Sequence, residues 1–322
     1  MLRLFVVLCG LCAVAPGPVD AQSTRERSPQ QVTDSIEIAR LAHKLTQHAR
    51  TDSARAARLY EWVAQNLTYD VQGFLAGRLS DGSPEAVYRK RLAVCGGYVG
   101  LFERLAREVG LEVMPVLGYA KGFTYRNGAA TKRSNHAWLA IRIDHDWRLI
   151  DPTWASGYVV NGKFERKFTW DYLFVDANEL IFSHFPEESQ WQLLAKPLRR
   201  AEFERLPMVH RSLFAVGFKP ETIRAAALAT RVQSFPLVGS RRDVRIISAP
   251  INGTVSREST VRVEVIWPGA AEVALVSGGV WRQLKREGNR FRGETVAAES
   301  AVALVGRIAH KEYETLLQYN VQ

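Results

Sequence analysis

The chain has 322 residues, of which 47% are hydrophobic and 24% are charged, and its formal net charge is +10 at pH 7. This composition excludes a disordered chain, and the length suits two globular domains. The basic runs are short and scattered and form no nucleic-acid-binding motif, so we expect anionic surroundings and no nucleic-acid partner.

The first 21 residues are typical of a secretory signal peptide. Arg3 supplies the positive charge, and residues 4–14 form an apolar run shorter than the ~20 residues that a membrane-spanning helix needs. A cleavage site after Ala21 predicts a protein exported to a periplasm or to the cell exterior. No stable membrane span would remain after cleavage, and an uncleaved anchor is the alternative.

Removal of this peptide would leave a single cysteine. Cys9 and Cys12 lie within residues 1–21, whereas Cys95 lies in the body of the chain. One unpaired cysteine in an exported protein indicates either a reactive thiol or a buried side chain that packs as a small hydrophobic group.

Helical periodicity marks the next two elements. In residues 31–50, Ile36 and Leu45 recur at a spacing that places them on one buried face. In residues 53–67, apolar side chains again recur at helical spacing, and Asp52 is the expected N-cap.

Two more helix starts precede a group of strands. A third helix is predicted to begin at Pro84, with Ser83 as its cap, and a fourth begins at Cys95 and ends at Gly110. Three extended runs follow and predict strands: residues 111–122, 136–144 and 147–154.

Helices followed by an antiparallel sheet define an α+β fold for the first domain. From about residue 241, short strands alternate with Gly, Pro and Asn, which predicts a small β-sandwich of the immunoglobulin (Ig)-like kind. The predicted organisation is a signal peptide, an α+β domain, a connector and a β-sandwich: residues 1–21, 22–215, 216–240 and 241–322.

Cys95 opens a predicted helix and is followed by Gly96 and Gly97. The start of a helix stabilises a thiolate through its free N–H groups and its dipole. The two glycines would let the backbone approach a substrate carbonyl, and the Cys95 amide could then stabilise an oxyanion. These features favour a nucleophilic cysteine.

A base for this thiol is expected at His136, which opens a strand, and Asp151 ends the next strand. If Asp144 and His145 form a two-residue turn, His136 and Asp151 are diagonal neighbours on one face, ~7–8 Å apart. Asp151 would then orient His136, and His136 would deprotonate Cys95. A three-residue loop would place the two side chains on opposite faces.

Two motifs resemble the transglutaminase-like superfamily of papain-type cysteine enzymes: "AVCGGYVGLFERLAREVGLEV" and "NHAWLAIRIDHDWRLIDPTW". In that family a Cys opens a helix, a His-x-Trp lies on one strand and an Asp-Pro-Thr lies on the next. These fall here on Cys95, on His136 with Trp138, and on Asp151.

Three later segments resemble one branch, that of kyphoscoliosis peptidase and the cytokinesis-associated transglutaminase-like proteins: "GYAKG", "WDYLFVDANELIFSHFPEESQWQLL" and "EFERLP". The resemblance implies a papain/transglutaminase-like core, with helices packed on an antiparallel sheet, followed by a β domain.

Several aromatic side chains have two interpretations within this resemblance. Tyr69 is a candidate for a second oxyanion donor or for a packing residue. Trp138, Trp154 and Tyr119 are candidates for an acyl-group cleft or for the core. His184 lies in a segment that wraps the core, and we expect a structural role for it.

The resemblance implies a cysteine-dependent acyl-transfer enzyme that hydrolyses peptide or side-chain amide bonds through a thioester on Cys95, with His136 and Asp151. The alternatives are a protein-crosslinking transglutaminase with the same residues and a non-catalytic binding or scaffold protein. A protein or peptide is the expected substrate, and a protein partner could bind the C-terminal β domain. We expect no cofactor and no metal, because no residue spacing suits calcium or zinc.

Overall fold

The computed structural model describes residues 28–78, 81–125, 133–209, 211–230, 234–239, 243–309 and 311–322. The predicted signal peptide, with Cys9 and Cys12, lies outside these ranges. Within them, no helix is both long enough and apolar enough to cross a bilayer.

The first part of the chain consists of helices joined by two short paired strands. In chain order the elements are α1 (Pro29–Thr46), α2 (Asp52–Asn66), β1 (Thr68–Tyr69), α3 (Val71–Leu75), α4 (Pro84–Lys90), β2 (Leu92–Ala93) and α5 (Cys95–Glu108). The helices predicted to begin at Pro84 and Cys95 are confirmed. The N-cap of α2 is Thr51, which accepts a hydrogen bond from the Ala54 N–H at 3.2 Å, and the prediction of Asp52 was wrong.

The buried face of α1 also differs from the predicted one. Ile36 is 47% exposed, whereas Asp34 and Ser35 are buried. Asp34 pairs with Arg89 at 2.7 Å, and Ser35 accepts a hydrogen bond from Arg104 at 3.0 Å. These partners on α4 and α5 compensate for burying polar groups. The spacing of apolar residues along the sequence does not reveal such partners, because they lie on other helices.

The central sheet comes next. In chain order the elements are β3 (Val113–Ala120), β4 (His136–Ile143), β5 (Asp146–Ile150), α6 (Pro152–Ser156), β6 (Gly157–Val160), β7 (Lys163–Arg166), α7 (Ala177–Leu180) and β8 (His184–Pro186). Four of the strands form an antiparallel sheet in the order β5-β4-β3-β8, and β6 pairs with β7 in a separate hairpin. Helix α5 packs on this sheet, since Phe102 and Leu105 share a core with Leu139 and Ile141 of β4.

The turn between β4 and β5 has the predicted length of two residues. Asp144 and His145 have φ angles of 50° and 70°, and Ile143 pairs with Asp146. Positive φ at both central positions matches the twist of a tight hairpin turn. This register leaves His136, at the start of β4, on the same face as the end of β5.

Short helices connect the sheet to the C-terminal region. They are a 3₁₀ turn (Ser189–Gln192), α8 (Arg200–Arg205), α9 (Ser212–Ala215) and α10 (Pro220–Thr230), followed by β9 (Leu237–Val238). Strand β9, which lies within the predicted connector, pairs with the last strand of the chain through Val238 and Leu317.

The C-terminal region is built of strands alone. They are β10 (Arg245–Ser248), β11 (Thr254–Val255), β12 (Thr260–Ile266), β13 (Ala270–Ser277), β14 (Val280–Gln283), β15 (Lys285–Glu287), β16 (Arg290–Val296), β17 (Ala301–Ile308) and β18 (Glu314–Val321). One sheet has the order β10-β12-β16-β15 and the other β11-β18-β17-β13-β14. Val263 and Phe291 of the first sheet share a core with Leu275 and Leu304 of the second.

These observations confirm the α+β class with a β-rich C-terminal region. The same apolar core that joins the two C-terminal sheets also contains Phe182, Phe203 and Phe214 from the preceding segment. The domain boundaries and the Ig-like character stay predictions.

Candidate active site

Cys95 is the first residue of α5, and its side chain is partly exposed. The next residue, Gly96, is exposed, and a Cβ there would meet none of the described atoms within 4 Å. A Cβ at Gly97 would lie 2.6 Å from the Cβ of Ala93 and 2.9 Å from Cγ2 of Val87. Gly96 therefore leaves room beside the thiol for a ligand, whereas Gly97 allows α5 to pack on its neighbours.

The Cys95 thiol contacts the imidazole of His136. It hydrogen-bonds that ring and also the backbone N–H of Ala137. Burial by itself would raise the pKa of the Cys95 thiol, but the hydrogen bond and the positive charge of His136 outweigh burial and lower this pKa. The contact therefore favours a thiolate paired with an imidazolium.

The Asp151 carboxylate is fully buried and lies behind His136. Its Oδ2 accepts a hydrogen bond from His136 Nε2 at 2.7 Å. Its Oδ1 accepts from the N–H groups of Thr153 at 2.8 Å and Trp154 at 3.0 Å, which makes Asp151 the N-cap of α6. Burial would raise the pKa of Asp151, but His136 and His184 hold it well below its usual range, so the carboxylate is ionised.

His136 lies between the thiol and the carboxylate. Burial alone would lower the pKa of His136, but Asp151 and then Cys95 raise it to about 10. Because Nε2 donates to Asp151, Nδ1 is the ring nitrogen left for Cys95. The structure thus brings the three predicted site residues together in one series of contacts, and their catalytic role stays a prediction.

The aromatic residues considered for an acyl-group cleft lie in different places. Trp138 is 1% exposed and stacks on the His136 ring, with centroids 6.0 Å apart and planes 21° apart, so it belongs to the core. Tyr119 is half-buried, and the Arg200 guanidinium lies 3.4 Å from its ring centroid. Trp154 lines the cleft beside His136.

That cleft has a volume of about 640 Å³, and eight of its 21 lining residues are Phe, Tyr or Trp. The rings of Tyr69, Phe74 and Phe123 pack on one another there, with centroids 5.5–6.4 Å apart. The other aromatic residues that line it are Trp154, Tyr158, Phe164, Phe168 and Tyr172. The cleft is therefore suited to apolar groups beside His136.

Tyr69 lies near Cys95 as well as in the aromatic cluster. Burial first, and then the charge of Cys95, raise the pKa of Tyr69, so its hydroxyl keeps its proton. Its ring packs against Phe74 and Tyr98 at centroid distances of 6.2 and 6.5 Å. The position of Tyr69 is consistent with both expected roles, as an oxyanion hydrogen-bond donor and as a packing residue.

His184 also contacts the site, although the sequence predicts only a structural role for it. Its Nε2 lies 3.0 Å from Asp151 Oδ2, and its Nδ1 lies 2.8 Å from Ser183 Oγ. The contact arises because β8 pairs with β3 so that His184 lies opposite Ala120. That pairing joins residues far apart in the sequence, so the only local sign was a histidine in an otherwise apolar segment.

Among the described residues, the His, Cys and acidic side chains close enough to share a metal ion are His136, Asp151 and His184, whose ligand atoms lie within 4.8 Å. The Asp151 oxygen is already hydrogen-bonded to the two imidazole nitrogens, at 2.7 and 3.0 Å. A tetrahedral zinc ion would hold its ligand atoms ~3.3 Å apart, given bonds of about 2.0–2.1 Å. The spacing therefore fits a hydrogen-bonded network rather than a set of metal ligands.

Comparison with known proteins identifies one domain of the chain. The family model of the transglutaminase-like superfamily matches residues 39–152, which include all three predicted site residues. The chain contains a transglutaminase-like domain. This domain begins in α1 and ends just after Asp151.

Relatives extend the likeness beyond that domain. The chain is 34% identical to kyphoscoliosis peptidase of Homo sapiens over 187 residues. This aligned region covers 57% of this chain and 28% of the relative. It is 33% identical over 86 residues to cytokinesis protein 3 of Schizosaccharomyces pombe, covering 26% of this chain and 10% of the relative. A crystal structure of a TGase is similar at 19% identity over 47% of this chain and 38% of that chain, with a TM-score of 0.32.

The chain thus spans less than a third of the length of these two relatives. The predicted resemblance to this branch of transglutaminase-like proteins is confirmed by the matches. The transglutaminase-like domain is the part of the molecule that carries Cys95, His136 and Asp151.

Proposed function

We propose that the protein is a cysteine-dependent acyl-transfer enzyme that hydrolyses peptide or side-chain amide bonds. The single observation that carries this proposal is the contact series from Cys95 through His136 to Asp151. A partly exposed thiol with a lowered pKa supplies the nucleophile, and a buried carboxylate orients its base. Nucleophilic catalysis by cysteine uses an adjacent base that a third group orients, and these three side chains supply such a set.

The proposed reaction begins with attack of the Cys95 thiolate on a carbonyl carbon. The carbonyl oxygen becomes an oxyanion, and the Cys95 N–H at the start of α5 is placed to donate to it, because the first N–H groups of a helix lack intrahelical partners. The His136 imidazolium then gives its proton to the leaving amine, the C–N bond breaks and a thioester remains on Cys95.

Water completes the proposed cycle. His136, now neutral, removes a proton from a water molecule that attacks the thioester carbonyl. The C–S bond breaks, a carboxylic acid leaves, and the Cys95 thiolate is again paired with the His136 imidazolium. Asp151 remains ionised throughout and stabilises each cationic state of His136.

For the substrate we propose a protein or peptide. The name of the human relative, kyphoscoliosis peptidase, and the aromatic cleft beside His136 support peptide hydrolysis. We further propose that the chain acts after export to a periplasm or the cell exterior, on the basis of its first 21 residues. A protein partner at the C-terminal β region remains part of this proposal.

Alkylation of the thiol tests the proposal directly. We expect iodoacetamide to modify Cys95 at mildly acidic pH, well below the free-thiol pKa of ~8.5. Peptides and a fluorescent amine should then be offered together, with Cys95→Ala as the control. Peptide cleavage supports hydrolysis, incorporation of the amine instead supports transglutaminase action, and a thiol that reacts only near pH 8.5 contradicts both.

A further inference from the structure

His184 is a buried titratable residue that the proposed reaction does not use. Its side chain is fully buried, and both ring nitrogens have polar partners: Asp151 at 3.0 Å and Ser183 at 2.8 Å. The ring is held among aromatic side chains, with centroids 4.4 Å from Trp154 and 5.1 Å from Trp138. Packing therefore fixes where the two nitrogens point.

The hydrogen-bond partners determine the tautomer of His184. An ionised carboxylate can only accept hydrogen bonds, so Nε2 of His184 carries the proton that is donated to Asp151. Burial, which outweighs the attraction of Asp151, lowers the pKa of His184 to about 4 and keeps the ring neutral. Nδ1 is then an acceptor. The Ser183 hydroxyl lies 2.8 Å from Nδ1 and 3.2 Å from the carbonyl oxygen of Leu180, and its proton is shared between these two acceptors.

With this donor, the Asp151 carboxylate has four hydrogen bonds, two on each oxygen: His136 and His184 on Oδ2, and Thr153 and Trp154 on Oδ1. A buried carboxylate needs such donors, since water cannot reach it. Loss of one donor would favour the protonated acid, and a neutral Asp151 would no longer stabilise the imidazolium of His136.

We propose that His184 is a positioning residue that holds Asp151 ionised and aligned for His136, with Ser183 as the partner of its second ring nitrogen. The effect of His184 on the Cys95 thiol rests on the proposed function. The hydrogen bond between His184 and Asp151 does not depend on catalysis. The site is then a network of four side chains: Cys95, His136, Asp151 and His184.

Other titratable groups face this network and are common to all variants below. They include Tyr60, Tyr69, Tyr98, Tyr172 and Arg211. Lys121, Lys167 and Asp171 line the same cleft as His136. The tyrosines stay protonated, because burial raises the pKa of each, and Arg211 is paired with Glu179 at 2.7 Å. A change in the pH profile that follows substitution of His184 therefore reports on the Asp151 contact.

Two substitutions separate hydrogen bonding from packing. His184→Gln keeps an N–H donor at about the reach of Nε2, whereas His184→Phe keeps the ring volume and removes the donor. We expect the acidic limb of the pH profile of Cys95 alkylation to move up by about one pH unit in His184→Phe, as loss of a charge-assisted hydrogen bond implies. His184→Gln should restore the wild-type profile, and His48→Asn, at an exposed position between α1 and α2, is the control.

If His184 only fills space in the core, His184→Phe, which keeps the ring volume, should behave like the wild-type protein. If His184→Phe keeps the wild-type profile, or if His184→Gln shifts as far as His184→Phe, the inference is overturned. A wild-type thiol that does not react at acidic pH contradicts the proposed function instead, and the two failures are thereby distinguished.

One measurement does not depend on any variant. Imidazole ¹⁵N NMR of the wild-type protein near pH 6 should show neutral His184 with its proton on Nε2. A proton on Nδ1, or a charged ring at that pH, would overturn the inference even if His184→Phe does not fold.

Discussion

His136 and Asp151 meet at 2.7 Å because a turn of two residues sets the register between β4 and β5. Side chains alternate faces along a strand, so a shift of one residue would place the two groups on opposite sides of the sheet. The geometry of the candidate active site therefore depends on Asp144 and His145, whose side chains are exposed on the hairpin turn.

The turn itself can be strengthened. Asp144 and His145 have positive φ angles, 50° and 70°, which Asn and Gly adopt at less cost. We expect the double substitution Asp144→Asn with His145→Gly to leave Cys95 alkylation unchanged and to raise stability by about 0.5–1 kcal/mol, because relief of the left-handed strain exceeds the entropy cost of the new Gly. Thermal melting and the alkylation rate measure the two effects, and a lowered alkylation rate would show that the turn does not hold the same register.

His136→Ala should remove the cause of the low pKa of Cys95. Burial then outweighs the remaining hydrogen bond from the Ala137 N–H and raises the pKa of Cys95, so the thiolate fraction near pH 6 should fall at least tenfold. The rate of iodoacetamide labelling at that pH measures the fraction. His48→Ala, in the segment between α1 and α2, is the control, and an unchanged rate in His136→Ala would contradict the assignment of the base.

Asp151→Asn keeps the shape of the side chain and still accepts the N–H groups of Thr153 and Trp154. It removes the negative charge that orients and stabilises His136, and we expect peptide hydrolysis to fall roughly a thousandfold or more. Asp146→Asn, at the exposed start of β5, should retain activity. Equal activity of the two variants would exclude Asp151 from the site.

His184 should also affect stability as a function of pH. Its pKa is lowered to about 4 in the folded protein, against ~6.5 in the unfolded chain, so the unfolded state binds more protons between these values. Stability should therefore fall as pH decreases from about 6.5 to 4, with a contribution from His184 on the order of 2–3 kcal/mol.

Urea unfolding at several pH values measures this dependence. His184→Gln lacks the titrating ring and should show a flatter curve over the same range, whereas His48→Gln should keep the wild-type slope. Parallel curves for wild type and His184→Gln would mean that His184 is not neutral in the folded protein.

The aromatic cleft gives a prediction about substrates. Phe123 is 39% exposed and packs against Tyr69 and Phe74 at the cleft. Phe123→Ala should lower kcat/KM for peptides with a large apolar residue near the cleaved bond by about tenfold, without changing iodoacetamide labelling of Cys95. Met114→Ala, an exposed apolar residue on β3, is the control. An equal loss for apolar and polar peptides would contradict an apolar subsite.

Local patterns in the sequence were sufficient for several elements. Ser83 and Pro84 have the preferred chemistry of a helix start, and Cys95 with the apolar residues after it has helical spacing. The positions of His136 and Asp151 on one face follow from counting residues around a two-residue turn. Each of these features depends on neighbours within one helix or one hairpin.

Other features depend on contacts between distant segments. Asp34 is buried in α1 because Arg89 on α4 lies against it, and apolar periodicity alone favoured Ile36 instead. Gly97 lacks a side chain because α5 packs closely on Val87 and Ala93, not because a substrate approaches it.

By itself, the sequence determined the order Cys95, His136 and Asp151 and the local elements that carry them, because capping, periodicity and turn length are short-range properties. Only the tertiary structure decided that His184 reaches Asp151, since the pairing of β8 with β3 brings a later segment beside the β4–β5 hairpin. Burial and the contacts among these side chains together determine the charge states, and both exist only in the folded chain.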